Sequence, residues 1–183
     1  MRGNMTNEEI QSIMNTTFGN LVFFCRDLDL DEKHISQYQA GQILEEKAFS
    51  DVSYKIGGMV QNCRYLIASS NWRDLSNFNP DLELGHAVIQ SGSLFKVLDV
   101  QKENGKTQIL LLNIPREGVE IFCNSEIDLE NNITEKGIEI FSKNLAAAPV
   151  EELQSYDWIE RTSFPLGMNK QGELFMKRPM GSE

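Results

Sequence analysis

The chain has 183 residues, 40% hydrophobic and 24% charged, a balance that excludes a disordered chain. Its 17 Lys and Arg against 27 Asp and Glu give a formal net charge of −10, and no three basic residues are consecutive, which argues against a nucleic-acid partner. Three cysteines with no C-x-x-C pair fit a reducing compartment better than a disulfide framework or a zinc site, and no apolar run approaches the length of a membrane span.

The length predicts a single globular domain over 1–183, with short flexible ends at about 1–5 and 178–183. The first residues lack an apolar signal core, so the expected location is cytoplasmic, with no membrane association.

At the start of the chain, Thr6 and Glu9 have the spacing of a capping box. In that arrangement a hydroxyl and a carboxylate each satisfy an orphan amide of the first helical turn. Ile10, Ile13, Met14, Thr17 and Phe18 follow at helical spacing and predict a helix over 7–18 that ends near Gly19. The apolar run 21–24 is too short for periodicity to assign to helix or strand. An acidic first turn and a stripe of Ile35, Tyr38, Ile43 and Leu44 predict a second helix over 31–48, with Gly41 against it.

From Val52 the apolar period changes to two. Val52, Tyr54 and Ile56 alternate with polar residues, as do Cys63, Tyr65 and Ile67, so two strands are predicted, with Gly57 and Gly58 as a turn or bulge. A long irregular stretch, 69–84, precedes a strand over 86–90 and a turn at 91–93. The two apolar runs of LFKVLDVQKENGKTQILLLNI, at 94–114, flank Asn104-Gly105. Asn-Gly supplies both positive-φ residues of a type I′ turn, so 94–101 and 108–114 are predicted to pair as a hairpin. Counting outward from the turn places Val100 opposite Ile109, Leu98 opposite Leu111, Val97 opposite Leu112 and Phe95 opposite Ile114. Both faces of such a hairpin are apolar and need cover, from helices or another subunit.

Gly118 and the run 119–123 predict one more strand. A third helix is predicted from Thr134, with Ile138, Phe141 and Leu145 on its buried face. Pro149 suits the opening of a short helix, Trp158 is expected to anchor the tail, and Gln171-Gly172 to turn a last small hairpin. Helices at the ends with strands between them predict an α+β fold. Its centre is an antiparallel sheet of about five to seven strands, flanked by N-terminal and C-terminal helices.

Motifs for chemistry are sparse. Asp27, Asp29 and Asp31 open like a calcium loop, but the loop's sixth and twelfth positions hold Glu32 and Tyr38, so neither the sharp turn nor the bidentate ligand exists. Gly57-Gly58 lacks the spacing of a phosphate loop. His34 and His86 are the only histidines, and neither sits in a nucleophile or metal signature. No metal, no cofactor and no catalytic residue is therefore assigned.

The best candidate surface is the 69–84 stretch with Trp72, Arg73 and Phe78, residue types enriched in binding hot spots, together with His86. The competing reading folds Trp72 and Phe78 back as a lid on the core. The sequence favours a non-catalytic cytoplasmic binding or adaptor domain with a protein partner. Its alternatives are a small hydrolase-type enzyme with a pocket near 69–86, and a self-associating structural protein that forms a homo-oligomer through the hairpin's second apolar face.

Overall fold

A computed structural model describes residues 5–78, 83–124 and 127–179. The expected flexible ends fall largely outside these residues, as do 79–82 of the long irregular stretch. Helix α1 (Asn7–Phe18) begins at Thr6 with both arms of the capping box in place and ends at Gly19. The unassigned run after it is strand β1 (Val22–Leu28).

The expected helix over 31–48 is a correction. Only one turn forms, α2 (Glu32–Ile35), capped by the Asp31 carboxylate on the His34 amide. Gly41 then takes φ +92°, a left-handed conformation that stops a helix, and the chain leaves as β2 (Ile43–Glu46). Adjacent Ile43 and Leu44 pack into cores on opposite faces of the sheet, the signature of a doubly covered strand.

Next come β3 (Ser50–Ser53), β4 (Cys63–Ser69), the two-residue β5 (Arg73–Asp74), a 3-10 turn (Ser76–Phe78) and β6 (His86–Ile89). The hairpin forms from β7 (Ser93–Glu103) and β8 (Lys106–Ile114), and Asn104 and Gly105 both carry positive φ. Val100 pairs with Ile109, but a bulge between Val97 and Asp99 shifts the pairs beyond it, so Val97 meets Leu111 and Phe95 meets Asn113. The bulge moves Phe95 and Val97 to the same core as Ile109 and Leu111.

The expected strand over 119–123 is also a correction. It is helix α3 (Val119–Asn124), entered through Pro115 and a 3-10 turn, with Phe122 buried against the Phe18 ring. An apolar run this short reads equally as helix or strand. Helix α4 (Asp128–Leu145), a 3-10 turn (Glu151–Gln154), α5 (Tyr156–Arg161) and β9 (Met176–Lys177) complete the elements.

The fold is α+β, and the described residues form a nine-stranded sheet in the order β5-β6-β3-β1-β4-β8-β7-β2-β9. The count exceeds five to seven because two edge strands have only two residues each and β2 had read as helix. The sheet is mixed, since β4 and β8 run parallel. One face is covered by α1, α3 and α4, through Ile13, Phe122 and Ile133. The other carries α2 and the C-terminal hairpin, through Ile35, Tyr38, Leu166 and Met168. Among the described residues no helix is long and apolar enough to cross a membrane.

Candidate active site

The sheet is unevenly knitted. β1 pairs with β4 at seven positions, from Val22–Ser69 to Leu28–Cys63, but with β3 at only one, Cys25–Ser53. Past that point the two strands part. Arg26 on β1 spans the gap, its Nη1 donating to the Asp51 carbonyl of β3 (3.1 Å) and its Nη2 to the Phe164 carbonyl (2.8 Å).

Arg26 is an anomaly of physical chemistry. Its side chain is 4% exposed, no carboxylate lies within ion-pair distance among the described residues, and its Nε has no hydrogen-bond partner. Burial pushes the guanidinium below its ordinary value, opposed by Tyr65, Asp51 and Glu46. Arginine keeps its proton throughout, so this is a charge held in the interior without a counter-charge in contact. By contrast Arg64, on the neighbouring strand β4, is fully paired. It meets both Asp27 oxygens at 2.6 and 2.7 Å and the carbonyls of Gly57 and Gly58.

Asp51 and His86 lie on β3 and β6, on the sheet face opposite the one Arg26 leaves with Phe24 and Leu28, and the guanidinium reaches this pair at the Asp51 carbonyl. Their strands pair antiparallel, with Asp51 in register with Val88 and Ser53 with His86, so both side chains leave the same face. Asp51 Oδ1 lies 2.6 Å from His86 Nε2. Burial alone would raise the Asp51 carboxyl, but the His86 hydrogen bond and the charges of His86, Arg161 and Arg26 outweigh it and hold the group below its usual value. The other ring nitrogen, Nδ1, is buried and has no hydrogen-bond partner among the described residues. A carboxylate that takes one imidazole N–H and leaves the second nitrogen free is an acid–base arrangement.

The gap is filled by the chain's own C-terminal segment. Trp158 stands edge-on to His86, with ring centres 5.1 Å apart. Arg161 Nη1 is 3.8 Å from Asp51, and the Thr162 hydroxyl donates to the Asp27 carbonyl of β1 (3.1 Å). Past Phe164 the segment reaches the opposite core, where the Leu166 carbonyl accepts from Tyr38 and the Gly167 amide donates to Glu46. Under Trp158 a cavity of only about 10 Å³ remains, lined by Cys25 and Thr162 among others.

The candidates read from sequence are not brought together. Trp72 is half-buried with its ring inclined at 65° to Phe24, in the core opposite the His86 face. Arg73 is exposed on β5 and turns back to the Trp72 carbonyl, and Phe78 is 78% exposed. A cavity of about 240 Å³ touches the long stretch at Ser70 and Asn71 and extends to Gly92 and Arg116, and His86 does not line it. Among the described residues, no group of three or more His, Cys, Asp or Glu is placed to hold a metal. Sequence reasoning missed Arg26, Asp51, Trp158 and Arg161 as parts of one site. One signal existed, the lone cation inside the buried run VFFCRDL.

No family model matches the sequence, and no curated protein does. Three solved structures illustrate the likeness. One is the type III effector XopAI from Xanthomonas axonopodis pv. citri (TM-score 0.46, 16% identity, over 51% of this chain and 41% of that one). A second is the ADP-ribosyltransferase Vis from Vibrio splendidus (0.46, 10%, over 54% and 51%). The third is the ADP-ribosyltransferase HopU1 of Pseudomonas syringae (0.44, 17%, over 51% and 45%). The match spans only 41% to 51% of the length of those proteins. The expected non-catalytic binding or adaptor domain is corrected by this finding, because Vis and HopU1 are enzymes by name.

Proposed function

We propose that the chain is a group-transfer enzyme that works in the gap between β1 and β3. His86 is its general base, Asp51 orients that base, and Arg26 receives an anionic part of the substrate. The observation that carries this is the 2.6 Å Asp51–His86 contact on one face of the gap, with the buried Arg26 reaching the Asp51 carbonyl from the other at 3.1 Å. With Nε2–H donated to Asp51, Nδ1 keeps its lone pair and can take a proton from an attacking nucleophile, while the carboxylate stabilises the imidazolium that forms. An anion on Arg26 supplies the missing counter-charge and occupies the Nε donor.

ADP-ribosyl transfer, the activity named for Vis and HopU1, is the reaction to assay first. In it an acceptor N–H or O–H group attacks the anomeric carbon of the nicotinamide ribose of NAD. The bond to nicotinamide breaks, nicotinamide leaves with the bonding pair, and the acceptor's proton passes to His86. The diphosphate of NAD is the anion that suits Arg26. A protein partner, in this reading, is the acceptor, and the three free cysteines suit a cytoplasmic setting.

The test is NAD consumption and ADP-ribose attachment to lysate proteins, read by mass spectrometry. His86→Ala and Asp51→Asn are expected to lower the rate by about 10²–10⁴-fold, the usual contribution of a positioned acid–base group. Folded variants as active as the wild type would overturn the assignment.

A further inference from the structure

We infer that residues 156–164 form an intramolecular plug, which fills the substrate gap in the resting protein and leaves it as a unit without the rest of the fold opening. The inference rests on reading the gap as the active site. Three contacts of the segment take or cover a group that the reaction uses. The Phe164 carbonyl holds an Arg26 donor, Arg161 faces the Asp51 carboxylate, and the Trp158 ring covers His86.

The occupant fits imperfectly, since it leaves Arg26 Nε and His86 Nδ1 buried without partners. Buried polar atoms in a finished core are almost always satisfied. A ligand that satisfied His86 Nδ1 would compete directly with the Trp158 ring, which stands edge-on to the imidazole.

Up to Phe164 the segment is also held in a separable way, while Leu166 beyond it stays anchored in the main core. Trp158 belongs to a small cluster with Cys25, Leu84 and Leu153, apart from the two main cores. Small satellite clusters open locally at lower free energy than whole domains. Tyr156 and Phe164 are 75% and 52% exposed, so the plug carries two apolar side chains on its outer side that a partner could grip.

Cys25 reports the opening, because it lines the small cavity beneath Trp158. Cys63 is buried in the opposite core and reports global unfolding. The experiment is native-state iodoacetamide labelling, read peptide by peptide, with NAD consumption measured on the same samples. It compares the wild-type chain with Trp158→Ala, Thr162→Ala and the outer-face control Tyr156→Ala.

In Trp158→Ala and Thr162→Ala, Cys25 is expected to label about tenfold faster or more, as local opening becomes easier. Cys63 stays protected, NAD consumption rises with Cys25 labelling, and the control behaves as wild type. Cys25 and Cys63 accelerating together would overturn the plug, because the segment would then leave only by unfolding. Selective Cys25 labelling with NAD consumption fixed at a measurable wild-type rate would overturn it too, because the gap would not have been blocked. Selective labelling with no NAD consumed by any of the proteins supports the opening and refutes the activity.

Discussion

Glu45 and Arg26 show two fates of a buried charge. Glu45 on β2 is 6% exposed and is met by Lys47 at 2.7 Å, Arg116 at 2.5 Å and Lys177 at 3.0 Å. Those partners hold its carboxyl at about 2, well under the ordinary 4.5. A carboxyl whose folded value lies below its unfolded value binds protons more weakly in the native state. Its stabilisation is therefore full above pH 4.5 and disappears as the pH falls toward 2. Because the three cations are 39–54% exposed, solvent screens them. Glu45→Gln is expected to cost only about 1 kcal/mol at neutral pH. Urea denaturation across pH should show that difference shrinking to near zero by pH 2. A difference constant with pH would mean that the ion pairs carry none of it. Legibility at this scale is uneven. Arg26 stands out as a cation in an apolar run, as do Arg64 and Lys96, and His86 because histidine is scarce. Asp51 is invisible among 27 acidic residues until β3 places it against His86.

Among the elements, α4 shows why a hydrophobic period alone misplaces a helix. The apolar stripe predicts a start at Thr134 and a buried Ile138, whereas the helix starts at Asp128 and Ile138 is 40% exposed. Two polar contacts set the rotation. Buried Glu130 receives Lys96 of β7 at 2.9 and 3.0 Å, and the Gly137 carbonyl accepts from Gln108 of β8 at 2.8 Å. Paired polar residues on the inner face carry no hydrophobic signal, so the pattern points elsewhere. The capping box and the Asn-Gly turn were legible because each acts within four residues of itself. The Leu98 bulge was not, because no glycine or other turn residue stands between Val97 and Asp99 to mark it. A methyl group at Gly137 would stand 2.8 Å from the Leu110 side chain, which is 2% exposed and has little room to give. Overpacking of about 1–3 kcal/mol opposes a gain in helix propensity of about 1 kcal/mol. Gly137→Ala is expected to leave stability unchanged or lower it by about 2 kcal/mol in equilibrium denaturation. A clear stabilisation would mean that α4 does not press on β8.

For the molecule as a whole, the α+β class followed from local patterns, but the functional reading did not. The gap between β1 and β3 arises from one missing run of strand pairs. Its contents come from positions 26, 51, 86 and 158, too far apart in the chain for any short motif to join them. The central claim is that substrate and the C-terminal segment exclude each other from this gap. Hydrogen–deuterium exchange of the full chain with and without saturating NAD tests it directly. The expected result is faster exchange over 156–164 together with slower exchange over β1 and β3 when NAD is bound. NAD binding that leaves 156–164 as protected as before, or no change in β1 and β3 at saturating NAD, would contradict the claim.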